Sequence, residues 1–343
     1  MSGDDSGGWQ LTESDPAVFS ELLKTLGLPF IVDDLYALDD DSLASLQPLH
    51  ALIFLFKWVP QSPDHTPAGK YDPDFAGFFA HQVVNNACAT LAVLNALGNI
   101  PSLKCGEQLQ DLFSFTAGMD ADTRGEVITS SDWLREAHNS LSPPSAISLD
   151  GLGLPKKTEE AYHFVVYLPV LGSLYELDGL KPHAISHGAF DDAKGGWLAR
   201  ARLVAYLIYS SATGFITFRS VLQREVIEGR IATYPPGALD FSLLALRDDP
   251  LPGMHSELRT LQSLEKESDA TELVMRIANE TNKRERWAFE NSLRRHNHVG
   301  LMHALLVALA KSGKLGPAKE TAKKVMQDRI HKAKERGEAM DEN

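Results

Sequence analysis

Cysteine is nearly absent, with two in 343 residues, Cys88 and Cys105. That excludes a disulfide framework, and a paired CxxC zinc site cannot be assembled from them. Basic residues are in deficit, 33 Lys and Arg against 46 Asp and Glu, for a net charge of −13. From Lys311 onward the balance reverses to +3, leaving −16 on residues 1–310. A body of that sign repels nucleic acid phosphate. It suits a basic protein partner and it also serves simple solubility; the charge fits both.

Long apolar runs are missing as well. The most apolar stretch outside the expected core strands, residues 203–218, is broken by Ser210-Ser211. It falls short of the roughly 20 residues of a bilayer span, so no membrane partner is expected. Met1–Gly8 is small and acidic, without a charged-then-apolar leader, which suggests a reducing cytoplasmic or nuclear setting. Gly151 and Gly153 are too few for a phosphate-cradling loop. His183 with His187, and His298 with Met302, share a helical spacing, but no carboxylate or thiol completes a metal shell. Neither a metal nor a nucleotide site is expected.

What is present reads as a mixed α/β (α+β) domain followed by helices. Asp15-Pro16 is the start signal of a helix that ends near Gly27. Phe30–Val32 suggests an edge strand, and Leu52–Trp58 is continuously apolar, as in a strand buried on both faces. Pro60–Asp74 reads as a polar loop. Helical stretches are predicted near Gly106–Ala117 and Ser130–Leu141, and an aperiodic loop over Ser142–Ala161. His163–Leu168 and Ser173–Asp178 flank a Gly-containing turn and predict a hairpin, and Phe241–Leu246 another strand. These give a mainly antiparallel sheet ending near Asp249. The expected division is a disordered 1–8, a catalytic domain over 9–249 and an all-α extension over 250–343 with a lysine-rich tail.

One stretch organises the rest. Gln82–Thr90 sets Cys88 between polar residues and the apolar run Leu91–Leu94, at the expected first turn of a helix. There the helix dipole and unsatisfied backbone N–H groups favour thiolate over thiol, below the free value of about 8.5. A thiol nucleophile needs a base and a group to orient it. His163 begins one hairpin strand and Asp178 ends the next, so folding about the turn brings them side by side. Gln82 is a candidate oxyanion donor beside the Cys88 backbone N–H. Each residue alone has a purely structural alternative. The order Gln, Cys, His, Asp in these contexts favours chemistry. Cys105 has no nearby base and reads as structural.

Gln82–Thr90 with Ala161–Val165 and Tyr175–Leu180 resembles the ubiquitin C-terminal hydrolase family of papain-like thiol proteases. Glu13–Pro16, Leu52–Trp58 and His138–Ser140 extend the likeness, which spans most of residues 9–200 and 221–249. Arg294–Asn297 followed by Val299–Leu309 is similar to the family's long, proteasome-associated members. The resemblance implies a papain-like fold without cofactor, with Cys88 as nucleophile, His163 as base, Asp178 as orienter and Gln82 as oxyanion donor. It implies cleavage after the terminal glycine of ubiquitin, whose tail and contact face are basic. Ser142–Ala161 then corresponds to a loop crossing over the site. The extension would dock on a ubiquitin receptor of the proteasome regulatory particle, or join a chromatin-remodelling complex. A catalytically idle ubiquitin-binding adaptor is the alternative class. Residues 202–220 depart from the family pattern and are expected to sit outside the catalytic core.

Overall fold

The computed structural model describes residues 7–36, 39–57, 69–142, 162–202, 241–295 and 298–335. These form two compact units, one running to Ser142 and resuming through Ser292, the other from Leu293 onward. The expected crossover loop beyond Ser142 and the extra residues 203–220 lie outside the described residues.

In the first unit α1 (Pro16–Thr25) starts as its sequence predicts. The Asp15 carboxylate accepts from Ala17 N at 2.7 Å, and Pro16 takes the first helical position, where its missing N–H costs nothing. Among the described residues seven strands follow: β1 (Phe30–Asp34), β2 (Leu49–Lys57), β3 (Lys70–Asp72), β4 (Tyr162–Val170), β5 (Ser173–Leu177), β6 (Ala184–Ala189) and β7 (Phe241–Asp248). They join one sheet in the order β1-β7-β2-β4-β5-β6-β3, antiparallel at every pairing. The short β3 lies inside the stretch read as a polar loop.

Alternation along β2 and β4 divides their side chains between two cores. Ile53, Leu55, Phe164, Val166 and Leu168 pack against α1 and α3 (Cys88–Leu97) on one face. Leu52, Phe54, Phe56, Val165 and Tyr167 fill the other, with Trp197 of α7 (Gly196–Arg202) beside them. A strand sealed on both sides needs the unbroken apolar run that residues 52–56 provide. All ten residues of α3 are buried, so its first residue is held by the core rather than by a loop.

Between β3 and β4 also lie α4 (Glu107–Phe115), α5 (Ala121–Thr129) and α6 (Asp132–Asn139), while the short α2 (Asp40–Ser45) precedes β2. After β7 come α8 (Pro250–Ser263) and α9 (Glu267–Arg294). The first unit thus runs past residue 249, because α9 is tied to its body by specific bonds. Lys283 pairs with Asp33 at 2.7 Å, Arg284 grips Asp249 with two bonds of 2.6 and 2.8 Å, and Asn291 donates to Ala17 O. Gly8, in the stretch expected to be disordered, accepts through its carbonyl from Asn139 Nδ2 at 2.8 Å.

The second unit contains α10 (His298–Lys311) and α11 (Leu315–Glu335). Gly313 ends α10 with φ +69°, and Gly313 N and Lys314 N return to Ala310 O and Leu309 O, which satisfies carbonyls the helix leaves open. Among the described residues no helix is long and apolar enough to cross a membrane.

Candidate active site

Cys88 is the first residue of α3, and no side chain caps that helix start. The first-turn N–H groups and the positive end of the helix dipole therefore face the sulfur's surroundings. The turn leading in is unusual, since Asn86 has φ +67°. Asparagine tolerates the left-handed region better than most residues. Its Nδ2 donates to Trp9 O at 3.0 Å, which pins the turn to the N-terminal segment.

The β4–β5 hairpin delivers the other two groups. Leu171 (φ +47°) and Gly172 (φ +80°) form a two-residue connection with both central residues left-handed, the geometry that matches strand twist. It sets the register Val166 opposite Leu177. His163 near the start of β4 and Asp178 just past β5 then meet, with His163 Nε2 2.6 Å from Asp178 Oδ1 and both side chains buried. Leu180 N donates to the same carboxylate oxygen at 3.0 Å. The His163 ring stands nearly perpendicular to that of Phe56, its cross-strand neighbour on β2, at 5.6 Å between centroids.

The electrostatics follow from these neighbours. Burial alone would lower the His163 pKa. The Asp178 carboxylate, by charge and hydrogen bond, and a hydrogen bond with Cys88 outweigh it and raise the value to about 9. For Asp178 burial works upward, but the His163 charge, its hydrogen bond and the Leu180 N–H hold the carboxyl below its ordinary range. The ring is thus cationic at neutral pH, with Nε2 committed to Asp178 and Nδ1 left for the sulfur.

Gln82 joins the cluster through its backbone. Gln82 N donates to Gly179 O at 2.9 Å, directly after Asp178, while its side-chain Nε2 donates to Val84 O at 3.1 Å. The four residues singled out from sequence therefore gather where α3, the hairpin and the segment before α3 meet.

Cys105 is half-buried, its thiol raised by burial, with Gln110 as its polar neighbour at 3.8 Å. His183 and His187 do not share a helix; His187 lies on β6, and His183 just precedes it. A spacing of four fits a strand face as well as a helix face. His187 Nε2 meets Glu176 Oε2 at 3.1 Å, a second buried histidine–carboxylate pair. Among the described residues no group of three His, Cys, Asp or Glu is placed to hold a metal ion. Sequence reasoning missed the polar supports of the site, which include Asn86, Asn95 and His138. A polar residue inside the otherwise apolar Cys88–Leu97 run was the available signal for Asn95.

Comparison with known proteins identifies the family. Residues 9–207 match the family model described as ubiquitin carboxyl-terminal hydrolase, family 1, and residues 270–315 match a second one, ubiquitin carboxyl-terminal hydrolases. The chain is similar to the ubiquitin carboxyl-terminal hydrolase ubh-4 of Caenorhabditis elegans, 35% identical over 318 residues, covering 91% of this chain and 90% of that one. It is also similar to ubiquitin carboxyl-terminal hydrolase 2 of Schizosaccharomyces pombe, 34% identical over 307 residues, covering 88% and 91%. Among solved structures, Trichinella spiralis UCH37 bound to ubiquitin vinyl methyl ester aligns with a TM-score of 0.61 at 28% identity, covering 82% of this chain and 99% of that one.

Proposed function

We propose, for a chain that belongs to family 1 of the ubiquitin carboxyl-terminal hydrolases, that cleavage after the terminal glycine of ubiquitin runs through Cys88, His163, Asp178 and Gln82. The protein is a thiol-dependent deubiquitinating hydrolase; the roles of these residues are our reading. The Cys88 thiolate attacks the glycine carbonyl carbon. The oxyanion that develops accepts from the Cys88 backbone N–H and the Gln82 side-chain amide. His163 gives its proton to the departing amine as the C–N bond breaks, which leaves a thioester on Cys88. It then takes a proton from water, which attacks the thioester and frees the ubiquitin carboxylate and the thiol. Asp178 holds the ring by Nε2–H, in the orientation and tautomer these transfers need.

The observation that carries the reading is the buried 2.6 Å contact of His163 with Asp178, on a ring whose charge the neighbouring Cys88 also favours. A fluorogenic ubiquitin C-terminal amide tests it. Turnover should vanish in Cys88→Ala and after alkylation, and ubiquitin vinyl methyl ester should become attached to Cys88. Turnover that survives Cys88→Ala would remove the sulfur from the mechanism. Ubiquitin binding without turnover in the unaltered chain would leave the idle adaptor instead.

We further propose that the C-terminal helices dock on a ubiquitin receptor of the proteasome, with cytoplasmic and nuclear location following from that. Support comes from the family match over residues 270–315 and from Met302, Leu305 and Leu306, exposed at helical spacing on α10.

A further inference from the structure

We propose that Asn95 and Asn99 are positioning residues, which lock the segment that carries Gln82 to the helix that carries Cys88 and so set the oxyanion donor relative to the nucleophile. This rests on the reading of Gln82 as that donor. Asn95 is buried within an all-buried helix, where an unpaired amide is costly. Both ends of its amide are held by one residue, accepting from Ala80 N at 2.8 Å and donating to Ala80 O at 3.1 Å. One helical turn on, Asn99 does the same to Phe78, accepting from its N–H and donating to its carbonyl, both at 2.8 Å. Each side-chain amide replaces the neighbouring strand that the backbone otherwise lacks.

The match is geometric. Four residues of helix rise about 6.0 Å, and two residues of extended chain about 6.6 Å. Asn95 on α3 and Asn99, two residues past its end and still on the helical path, can therefore bond alternate residues of a chain running beside them. The next residue in that alternation is Gln82, whose N–H goes to Gly179 O, beside Asp178. The intervening residues face the other way. Arg124 Nη1 donates to Phe79 O, His81 N donates to Ala121 O at 2.9 Å, and His81 Nδ1 pairs with Asp122 at 2.6 Å. The segment is thus clamped between α3 and α5. Gly125 allows that approach, since a Cβ there would collide with the His81 carbonyl oxygen. The loop from Ala80 to Cys88 is closed at both ends by one rigid helix, and misplacing a catalytic donor by about 1 Å costs on the order of 100-fold.

Asn95→Leu and Asn99→Ala test this in the full chain, each alone and with Gln82→Ala. On the fluorogenic ubiquitin amide, Asn95→Leu should lower kcat about 10- to 100-fold, and the half-buried Asn99→Ala several-fold, with KM changed little. Alkylation of Cys88 by iodoacetamide builds no oxyanion, so its rate should stay within about twofold. In the Gln82→Ala background either substitution should add less than about twofold, because the donor it positions is gone. Should Asn95→Leu fail to fold, Asn99→Ala carries the same comparison. Unchanged kcat, parallel loss of alkylation, or a full additional loss in the Gln82→Ala background would each overturn the positioning role. Gln82→Ala that turns over normally would instead overturn the donor assignment beneath it, a result read from that variant alone.

Discussion

His163 Nε2, on the first strand of a hairpin, and Asp178 Oδ1, just past the second, lie 2.6 Å apart, each side chain almost wholly buried. A carboxylate so placed fixes which ring nitrogen keeps its proton. Asp178→Asn preserves shape, yet it removes the charge and lets the amide favour the wrong tautomer. Turnover of a ubiquitin C-terminal amide should fall by roughly two to four orders of magnitude, with ubiquitin affinity nearly unchanged. Equal losses of rate and affinity would mean that Asp178 shapes the ubiquitin-binding surface instead.

The same pair sets a pH profile. The imidazolium persists up to about pH 9 because Asp178 and Cys88 outweigh burial. The alkaline limb of kcat/KM should therefore fall near pH 9, and Asp178→Asn should draw it down toward the ordinary histidine range near 6.5. For stability, a raised histidine pKa contributes fully below the unfolded value and is lost as pH rises through the folded one. A lowered aspartate pKa contributes above its unfolded value and is lost as pH falls below it. The Tm gap between the native chain and Asp178→Asn should be widest between about pH 4 and 6.5, and close toward pH 9 and above. A gap flat across that range would place the pair outside the stability balance.

The residues that announce themselves in sequence are those whose local rule and tertiary role coincide. Asp15-Pro16 caps a helix wherever it falls, and residues 52–56 need two covered faces because both parities are apolar. His163 and Asp178 were legible because a two-residue turn determines what lies across it. The remainder depends on distant partners. In α5, Ala121–Thr129 carries little apolar periodicity and a central Gly125, so it forms a helix through its packing against the segment before Cys88. With three residues, β3 is too short to show alternation, and it exists through its pairing with β6. The histidines at 183 and 187 fit helix and strand spacing alike. Asn95 looks like a flaw in an apolar helix until Ala80 is seen beside it.

His138 offers an acid-side prediction. Its Nε2–H donates to Gln10 O at 2.8 Å, so its Nδ1 accepts, and the Thr90 hydroxyl donates to it at 2.7 Å. The neutral ring thus joins the N-terminal segment to α3 two residues past Cys88. Burial lowers its pKa to about 4, against a partial offset from Gln10. The unfolded chain then binds a proton between about pH 6.5 and 4 that the folded chain refuses. This contribution is whole above 6.5 and is lost as pH falls, up to roughly 3 kcal/mol. Tm should drop across that window, and His138→Asn should flatten part of the drop. An unaltered acid limb in the variant would assign it to other groups.

The clamp on α9 is expected to be separable from catalysis. Arg284 makes two bonds to Asp249 and one to Glu280 at 3.0 Å, all with partly exposed side chains. Charge-assisted bonds of this kind contribute about 1–3 kcal/mol before solvent screening trims them. Arg284→Ala should lower the unfolding free energy by about 1–2 kcal/mol while kcat on the small ubiquitin substrate stays within about twofold. A larger fall in kcat than in stability would connect α9 to the reaction.

The outer face of α10 tests the docking proposal without removing any helix. Met302 and Leu306 are one turn apart and more than half exposed, so a charge at each perturbs no core. Paired Met302→Asp and Leu306→Asp should abolish co-purification with proteasomes, since carboxylates buried in an apolar contact lose their hydration without gaining partners. Cleavage of the fluorogenic ubiquitin amide should stay near the native rate, and circular dichroism should show that the helices persist. Proteasome association that survives the double substitution would move the docking surface off this face. Cleavage lost along with association would mean that α10 acts on the catalytic unit itself.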